Sequence, residues 1–231
     1  MDDITRNLAE VRARIAAAAA RAGRDPAAVT LLAVSKRQPV AALESAWQGN
    51  QRDFGESYVQ EALPKLAAFA GRAARWHFIG ALQSNKSREV AERFQWIHTL
   101  DRDGLARRLA EQRPADLPPL QVCLQVNVSN ESSKGGVMPE RVPGLAAAVA
   151  ALPRLKLRGL MAIPAPARDL ETQRVPFKLM RELLAELQRA GHDVDTLSMG
   201  MSEDLEAAIM EGATLVRIGT AVFGARPPKS I

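Results

Sequence analysis

The chain has 231 residues, 47% of them hydrophobic and 25% charged, a composition that excludes disordered and collagen-like proteins. Its 31 basic and 26 acidic residues give a formal charge of +5, but the arginines are dispersed and only 4% of residues are aromatic, which argues against nucleic-acid binding. No apolar run approaches the roughly 18 residues of a membrane span, no secretory core is evident, and the single Cys123 permits no internal disulfide. We expect a cytoplasmic protein without membrane contact.

The chain opens with a helical pattern over residues 4–22, in which Ile4, Leu8, Val11 and Ile15 recur at the spacing of one helix face. Apolar runs of strand length then alternate with helical patterns. The predicted strands are residues 30–35, 53–55, 76–80, 96–99, 120–126, 157–163, 195–198 and 215–218. The predicted helices between and after them are residues 40–47, 59–70, 86–94, 104–112, 139–152, 176–190 and 203–210.

Strict alternation of apolar strands and helices predicts a parallel sheet covered by helices. Eight such units in about 230 residues fit a closed (β/α)₈ TIM barrel with an extra N-terminal helix, at the short end of the size range of that fold. An open doubly wound sheet is the rival, and a glycine-rich loop after the first strand would favour it, whereas here Lys36 and Arg37 follow that strand. Without any linker-like segment, residues 1–231 are predicted to form a single domain.

Lys36 directly follows the buried-type run LLAVS, and the carboxyl ends of strands are where functional groups gather in such barrels. Partial desolvation there would lower the pKa of the amine and prepare it to attack a carbonyl. The alternative is a lysine that extends to water and has no function.

Two turns near the end of the sequence resemble anion-binding turns. One contains Ser202 after the seventh predicted strand, and the other contains Gly219 and Thr220 after the eighth. Backbone N–H groups and hydroxyls at such turns hold phosphates, and barrels often place a phosphate site after strands seven and eight. The alternative for Ser202 is an ordinary helix N-cap.

A lysine that forms Schiff bases and a phosphate site across the same barrel mouth suggest one ligand, pyridoxal 5′-phosphate (PLP), the cofactor form of vitamin B6. Arg217 on the eighth strand is then placed to meet the pyridine nitrogen. Because arginine donates and never accepts hydrogen bonds, that nitrogen would stay unprotonated, which makes the ring a weaker electron sink.

Eight segments of the chain, in matching order, resemble the pyridoxal phosphate homeostasis proteins, a family of small PLP-binding barrels. They are LLAVSK, FGESYVQEALPK, WHFIGALQSNK, IHTLDR, QVNVS, LRGLMAI, LSMGMSEDLEAAI and VRIGTAVFG. The resemblance covers nearly the whole chain. It implies the fold of the N-terminal barrel of alanine racemase and intracellular storage, buffering or delivery of PLP, without established catalysis.

By this resemblance Lys36 is the Schiff-base lysine, Arg217 meets the pyridine nitrogen, and Ser202, Gly219 and Thr220 hold the phosphate. Family members often carry asparagine in the FGE-Asn-Tyr segment near the cofactor, and Ser57 occupies that position here. We therefore include Ser57 among the predicted cofactor-binding residues. We also expect a monomer that makes transient contact with PLP-dependent apoenzymes.

Two other functions remain open. An amino-acid racemase of the same fold needs a second base, for which alanine racemases use a tyrosine from an additional domain; the one tyrosine here is Tyr58. A small-sugar aldolase that uses Lys36 without PLP is the other. His77 and His98, on predicted strands, are expected to be hydrogen-bonded core residues, and the dispersed histidines predict no metal site.

Overall fold

The computed structural model describes residues 3–129 and 135–225. Eight strands form a closed barrel in which each strand pairs in parallel with its neighbours in sequence order. The strands are β1 (Thr30–Val34), β2 (Asp53–Glu56), β3 (Arg75–Phe78), β4 (Trp96–Leu100), β5 (Leu120–Val126), β6 (Leu155–Ala162), β7 (Thr196–Ser198) and β8 (Leu215–Ile218).

Helices follow the strands, and one additional helix precedes β1. The helices are α1 (Asp3–Arg21), α2 (Val40–Gln48), α3 (Val59–Ala68), α4 (Ser87–Arg93), α5 (Asp103–Gln112), α6 (Val142–Ala150), α7 (Leu170–Arg189), α8 (Leu205–Met210) and α9 (Thr220–Phe223). Pairing of β8 with β1, where Ile218 lies opposite Ala33, closes the sheet. The predicted (β/α)₈ barrel with an extra N-terminal helix is confirmed.

Apolar side chains fill the layer between the barrel and its helices. Aromatic rings are concentrated on one side of this layer, where Phe54, Phe69 and Trp76 contact one another with ring centroids 5.5–5.8 Å apart. Each of these side chains is buried. Burying rings of this size contributes on the order of 2 kcal/mol per side chain, and the core therefore holds the strands whose carboxyl ends carry the functional loops.

Several predicted boundaries were wrong, and α7 shows why. Proline is common in the first turn of helices, so the sequence predicted a start at Pro176, yet the helix begins six residues earlier at Leu170. The side chain of Asp169 accepts a hydrogen bond from the backbone N–H of Thr172 (2.9 Å) and caps this earlier start. Burial of Phe177 and Met180 keeps the helix continuous through the proline.

Helix α1 packs against α2, α8 and α9, and its side chains contact the segments after β7 and β8. The guanidinium of Arg14 donates to the carbonyl of Ser202 (3.0 Å) and forms an ion pair with Glu206 (3.0 Å). The amide of Asn7 donates to the carbonyl of Val222 (3.0 Å). The extra helix therefore supports both loops that were predicted to hold a phosphate.

Among the described residues, no helix combines the length and the apolar character that crossing a bilayer requires.

Candidate functional site

A cavity of about 320 Å³ opens at the carboxyl ends of the strands, beside β1, β3, β6, β7 and β8. Its volume is within the usual range for small-molecule sites. Five of the six predicted site residues line it: Lys36, Ser202, Arg217, Gly219 and Thr220. The remainder of the lining is Val34, Ile79, Ile163, Pro164, Pro166, Ala167, Gln173, Met201, Glu203 and Asp204.

Lys36 is half-buried in the turn that follows β1. Of the described lysines, it alone lines the cavity. The next residue, Arg37, has a φ of 63°, a left-handed conformation that few non-glycine residues adopt. Its backbone N–H donates to the carboxylate of Glu61, which stabilises the turn in this conformation.

A buried ion cluster that the sequence reasoning did not identify lies under this turn. The ammonium of Lys65 contacts carboxylate oxygens of Glu56 (2.9 Å) and Glu61 (2.7 Å) and donates to the carbonyl of Ser35 (2.9 Å). The hydroxyl of Ser35 donates to the same oxygen of Glu56 (2.6 Å). The residue before Lys36 is therefore bound through both its backbone and its side chain.

Burial raises the pKa of Glu56, and the nearby Lys65 ammonium opposes this rise. The second carboxylate oxygen, Oε2, is buried without a hydrogen-bond partner among the described residues. The negative charge of Glu56 is thus compensated at one oxygen only, and this compensation comes from the Lys65 ammonium. The spacing of Glu61 and Lys65, four residues apart on one helix, was a sequence signal for part of this cluster.

Arg217 extends from β8 into the barrel and is 4% exposed. Its Nη1 donates to the hydroxyl of Ser198 (2.9 Å) and to the carbonyl of the same residue, and its Nη2 donates to the carbonyl of Ala162 (2.8 Å). Burial lowers the pKa of Arg217 to about 10, so the guanidinium remains a cation at neutral pH. Arg217 also lines the cavity, and a ligand there would meet the N–H donors outside these three bonds.

The loops after β7 and β8 bring Ser202, Gly219 and Thr220 to one side of the cavity. Gly200 begins the first loop with a φ of +94°, and a Cβ there would lie 2.6 Å from the Cβ of Ala208. Only glycine fits this close approach, and the loop depends on it. Its carbonyl accepts from the backbone N–H of Arg217 (2.9 Å), which links this loop to strand β8.

The helix after Ser202 begins later than predicted, at Leu205 rather than Glu203, with Asp204 at the N-cap position. The Asp204 carboxylate accepts a hydrogen bond from the backbone N–H of Met201 and turns back on its own loop. Burial raises the pKa of Asp204, against the opposing influence of that hydrogen bond and of Arg217. The alternative in which Ser202 is the helix N-cap is therefore wrong, and its hydroxyl lies at the cavity instead.

Ser57 and Tyr58 lie between β2 and α3, and neither is among the residues that line the cavity. Ser57 is half-buried, and its backbone packs against Gly80, where a Cβ would come within 2.1 Å of the Ser57 carbonyl oxygen. Tyr58 is 58% exposed. Five of the six predicted residues therefore line one cavity, and Ser57 lies next to Gly80, which follows the lining residue Ile79.

His77 and His98 are buried inside the barrel and hydrogen-bonded to each other, Nδ1 of His77 to Nε2 of His98 (2.9 Å). Burial lowers the pKa of both imidazoles. Burial alone would raise the pKa of Asp53, but hydrogen bonds from His77 and Arg75 bring it below its usual value. Both histidines have the core environment expected from the sequence.

A second cavity, of about 410 Å³, lies at the opposite, amino ends of the strands. Its charged side chains are already paired: Arg75 with Asp53 and Arg158 with Asp195, each at 2.6 Å. Residues on this face of a barrel usually contribute to stability. In the described part of the chain, no group of three or more side chains is arranged to hold a metal ion.

Comparisons with known proteins agree with this arrangement. The family model for the N-terminal domain of alanine racemase matches residues 6–227. A pyridoxal phosphate homeostasis protein from Pseudomonas aeruginosa is 60% identical over 226 residues, 98% of this chain and 97% of that protein. One from Escherichia coli K12 is 55% identical over 229 residues, 98% of each chain.

Among solved structures, PipY of Synechococcus elongatus with PLP bound superposes with a TM-score of 0.85 at 36% identity, covering 96% of this chain and all of PipY. The family-model match spans nearly the whole chain, and the two relatives align end to end. The chain therefore belongs to the alanine racemase N-terminal domain family and, within it, to the pyridoxal phosphate homeostasis proteins.

Proposed function

We propose that this chain binds PLP in the cavity at the carboxyl ends of the strands and stores, buffers or delivers it. The observation that carries the proposal is that one cavity collects a lysine, a buried donor-only guanidinium and two loops bearing hydroxyls. The names of the relatives and the PLP-bound state of PipY support it. The proposal includes residues 1–231 acting as a single domain.

The residues present fit PLP by their chemistry. When bound, PLP supplies an aldehyde that combines reversibly with amines. Lys36 is the amine that would hold it as a Schiff base, since the other described lysines lie outside the cavity. Ser202 and Thr220 would donate hydroxyl hydrogen bonds to the phosphate, and the small Gly219 lets backbone approach it.

Arg217 would donate to the pyridine nitrogen. A guanidinium with a pKa of about 10 does not give up its proton at neutral pH, so it cannot act as an acceptor there. The ring nitrogen would then remain unprotonated and would draw electrons weakly. A cofactor held in this way is retained without being activated for chemistry at the amino-acid carbon.

Two acidic residues, Glu203 and Asp204, also line the cavity. Asp204 is directed towards the Met201 backbone N–H and lies within electrostatic influence of Arg217.

Four further points stay predictions. They are a contact between Ser57 and the cofactor, a cytoplasmic location, a monomeric state and transient contact with PLP-dependent apoenzymes.

Hydroxyl deletions in the two loops should weaken PLP binding without unfolding the protein. Each of Ser202→Ala and Thr220→Ala would remove a charge-assisted hydrogen bond to phosphate, about 1.5 to 3 kcal/mol, and raise the Kd for PLP roughly tenfold or more. The measurements are PLP titration and the Tm of the apo-protein. Ser45→Ala, a half-buried serine on α2 away from the cavity, is the control.

An unchanged Kd combined with a lowered Tm for Ser202→Ala would show that its hydroxyl has a structural role only. The structure favours the opposite result, because the N-cap position belongs to Asp204.

The second candidate function, racemisation, is favoured by the fold. Two assays on one preparation of PLP-loaded protein distinguish racemisation from PLP delivery. Loaded protein is mixed with an apo-transaminase in the presence of a phosphatase that destroys free PLP, and recovered transaminase activity measures delivery. A chiral assay with L- and D-alanine and serine measures racemisation. We expect delivery to exceed that from an equal amount of free PLP, and racemisation to stay far below the enzyme range of about 1 to 1,000 per second.

The expectation rests on two features of the chain. Arg217 can only donate to the ring nitrogen that it is proposed to meet, and Tyr58 is exposed and outside the cavity lining, where it is not placed as a second base. If the unmodified protein racemised an amino acid at a rate within the enzyme range, and Lys36→Ala abolished that activity, the protein would be a racemase rather than a PLP carrier.

A further inference from the structure

A continuous chain of hydrogen bonds crosses the barrel interior from the cavity to the opposite end. The guanidinium of Arg217 donates to the hydroxyl of Ser198 (2.9 Å), which contacts Nδ1 of His98 (2.7 Å). Nε2 of His98 contacts Nδ1 of His77 (2.9 Å), and Nε2 of His77 contacts a carboxylate oxygen of Asp53 (3.0 Å). These residues belong to β8, β7, β4, β3 and β2, and His98 reaches Ser198 across the barrel.

The Asp53 end determines the direction of the bonds between the side chains. The ionised carboxylate can only accept, so His77 carries its proton on Nε2 and donates it to Asp53. Nδ1 of a neutral His77 is then an acceptor, so His98 carries its proton on Nε2 and donates to it. Nδ1 of His98 is therefore also an acceptor, and the Ser198 hydroxyl donates to it while accepting from Arg217, which can only donate.

All the dipoles in this chain point the same way. Each hydrogen points away from Arg217 and each lone pair points towards it, so the aligned groups stabilise the buried cation at one end and the Asp53 anion at the other. Protonating His77 would put two N–H donors face to face, and protonating His98 would require the Ser198 hydroxyl to reverse its hydrogen bond. The low pKa of both histidines agrees with this order.

Asp53 is itself fixed. Arg75 donates to both of its carboxylate oxygens, each at 2.6 Å, and Arg75 lies at the amino end of β3 where its side chain is 58% exposed. The ring of His77 stacks on Trp96 with centroids 5.4 Å apart and an interplanar angle of 13°. The series of hydrogen bonds therefore runs from the Asp53 carboxylate, which is held at both oxygens, to the Arg217 guanidinium, which lines the cavity.

We infer that Ser198, His98, His77 and Asp53 are positioning residues that fix the orientation of the Arg217 guanidinium and thereby its contact with the pyridine nitrogen of PLP. The part of this inference that concerns the cofactor rests on the proposed function. The part that concerns Arg217 itself is independent of any ligand, and the apo-protein tests it.

The first test uses ¹⁵N NMR of the unmodified apo-protein at neutral pH. Both buried imidazoles should be neutral Nε2–H tautomers, and the Nη signals of Arg217 should be resolved because its rotation is restricted. In Ser198→Ala the Nη signals should broaden or merge, whereas Ser198→Thr, which keeps the hydroxyl, should restore them. An Nδ1–H tautomer at His98, or an Arg217 already rotating freely in the unmodified protein, would overturn the inference.

The second test measures PLP affinity and the visible absorption spectrum in a double-variant cycle. Ser198→Ala should raise the Kd for PLP on the order of tenfold and shift the absorption band. In an Arg217→Met background, the same change should have no further effect, because Ser198 acts through Arg217. Ser87→Ala is the matched control, since it removes a buried hydroxyl bonded to Gln112 (2.7 Å) far from the cavity.

An equal loss of affinity in both backgrounds would mean that Ser198 acts on the fold rather than on Arg217. If the unmodified protein takes up no PLP, the proposed function fails, and the spectra of the apo-protein then decide this inference alone.

Discussion

Replacing Lys36 with alanine is expected to abolish covalent attachment of PLP to this protein. After incubation with PLP and borohydride reduction, mass spectrometry should find one adduct on the unmodified chain, at Lys36, and none on the variant. The physical reason is access: Lys36 alone among the described lysines lines the cavity, whereas the Lys65 ammonium is buried in three short contacts. The visible absorbance of the Schiff base should disappear together with the adduct.

The control for this experiment is Lys86→Ala. Lys86 follows β3 at the same end of the barrel, but it is paired with Glu89 (3.7 Å) and does not line the cavity. It should retain both the adduct and the absorbance. Residual PLP bound by Lys36→Ala is compatible with the assignment, because the phosphate contacts remain. An adduct found mainly on another lysine of the unmodified protein would refute it.

Lys65→Met is expected to have the largest effect on stability. It removes the cation next to the buried Glu56 carboxylate, whose Oε2 already has no partner among the described residues. Breaking a buried pair in this way costs about 3 to 5 kcal/mol, because a buried charge is left uncompensated. For a chain of this size the Tm should fall on the order of 10 °C.

The pH dependence of this variant has a definite sign. Burial already raises the pKa of Glu56, and removing the Lys65 cation raises it further. Because the folded state of the variant then binds a proton more readily than the unfolded chain, its stability deficit should shrink as the pH falls through the raised pKa of the buried carboxyl towards the ordinary pKa of an exposed glutamate. Thermal unfolding of both proteins between about pH 5 and 8 measures this.

Two comparisons make the stability prediction specific. Lys178→Met removes an exposed lysine at the same four-residue spacing from a glutamate, Glu182 (4.0 Å), and should cost less than about 1 kcal/mol. The double variant Lys65→Met with Glu56→Gln should recover much of the lost stability, since no buried charge remains. A loss for Lys65→Met no larger than that for Lys178→Met would contradict the assigned role of the cluster.

Stability and function are connected at this cluster. Lys65 donates to the Ser35 carbonyl, and Glu61 accepts from the Arg37 backbone N–H, so the two residues that flank Lys36 are both held by it. A turn with a left-handed residue keeps its conformation when its surroundings supply such contacts. The ion cluster below the cavity thus places Lys36, the lysine proposed to hold PLP.

The barrel and most of the cavity were predictable from the amino-acid sequence. Alternating apolar strands and helices determine a covered parallel sheet, because each strand must bury both of its faces. Lys36 could be identified because it follows an apolar run, and the loops with Ser202, Gly219 and Thr220 because they follow the last two strands. In this fold the ends of the strands lie together by topology, so position along the chain indicates position in the site.

Tertiary structure alone decided which polar side chains meet inside the barrel. His98 and Ser198 are 100 residues apart and bond across the interior, and no local pattern relates two such positions. The start of α7 at Leu170 likewise depended on the Asp169 cap and on burial that overrode the signal of Pro176. The periodicity of a sequence indicates which face of a helix or strand is buried. Hydrogen-bond partners depend instead on the closure of the barrel, which brings side-chain atoms from distant strands within about 3 Å of each other.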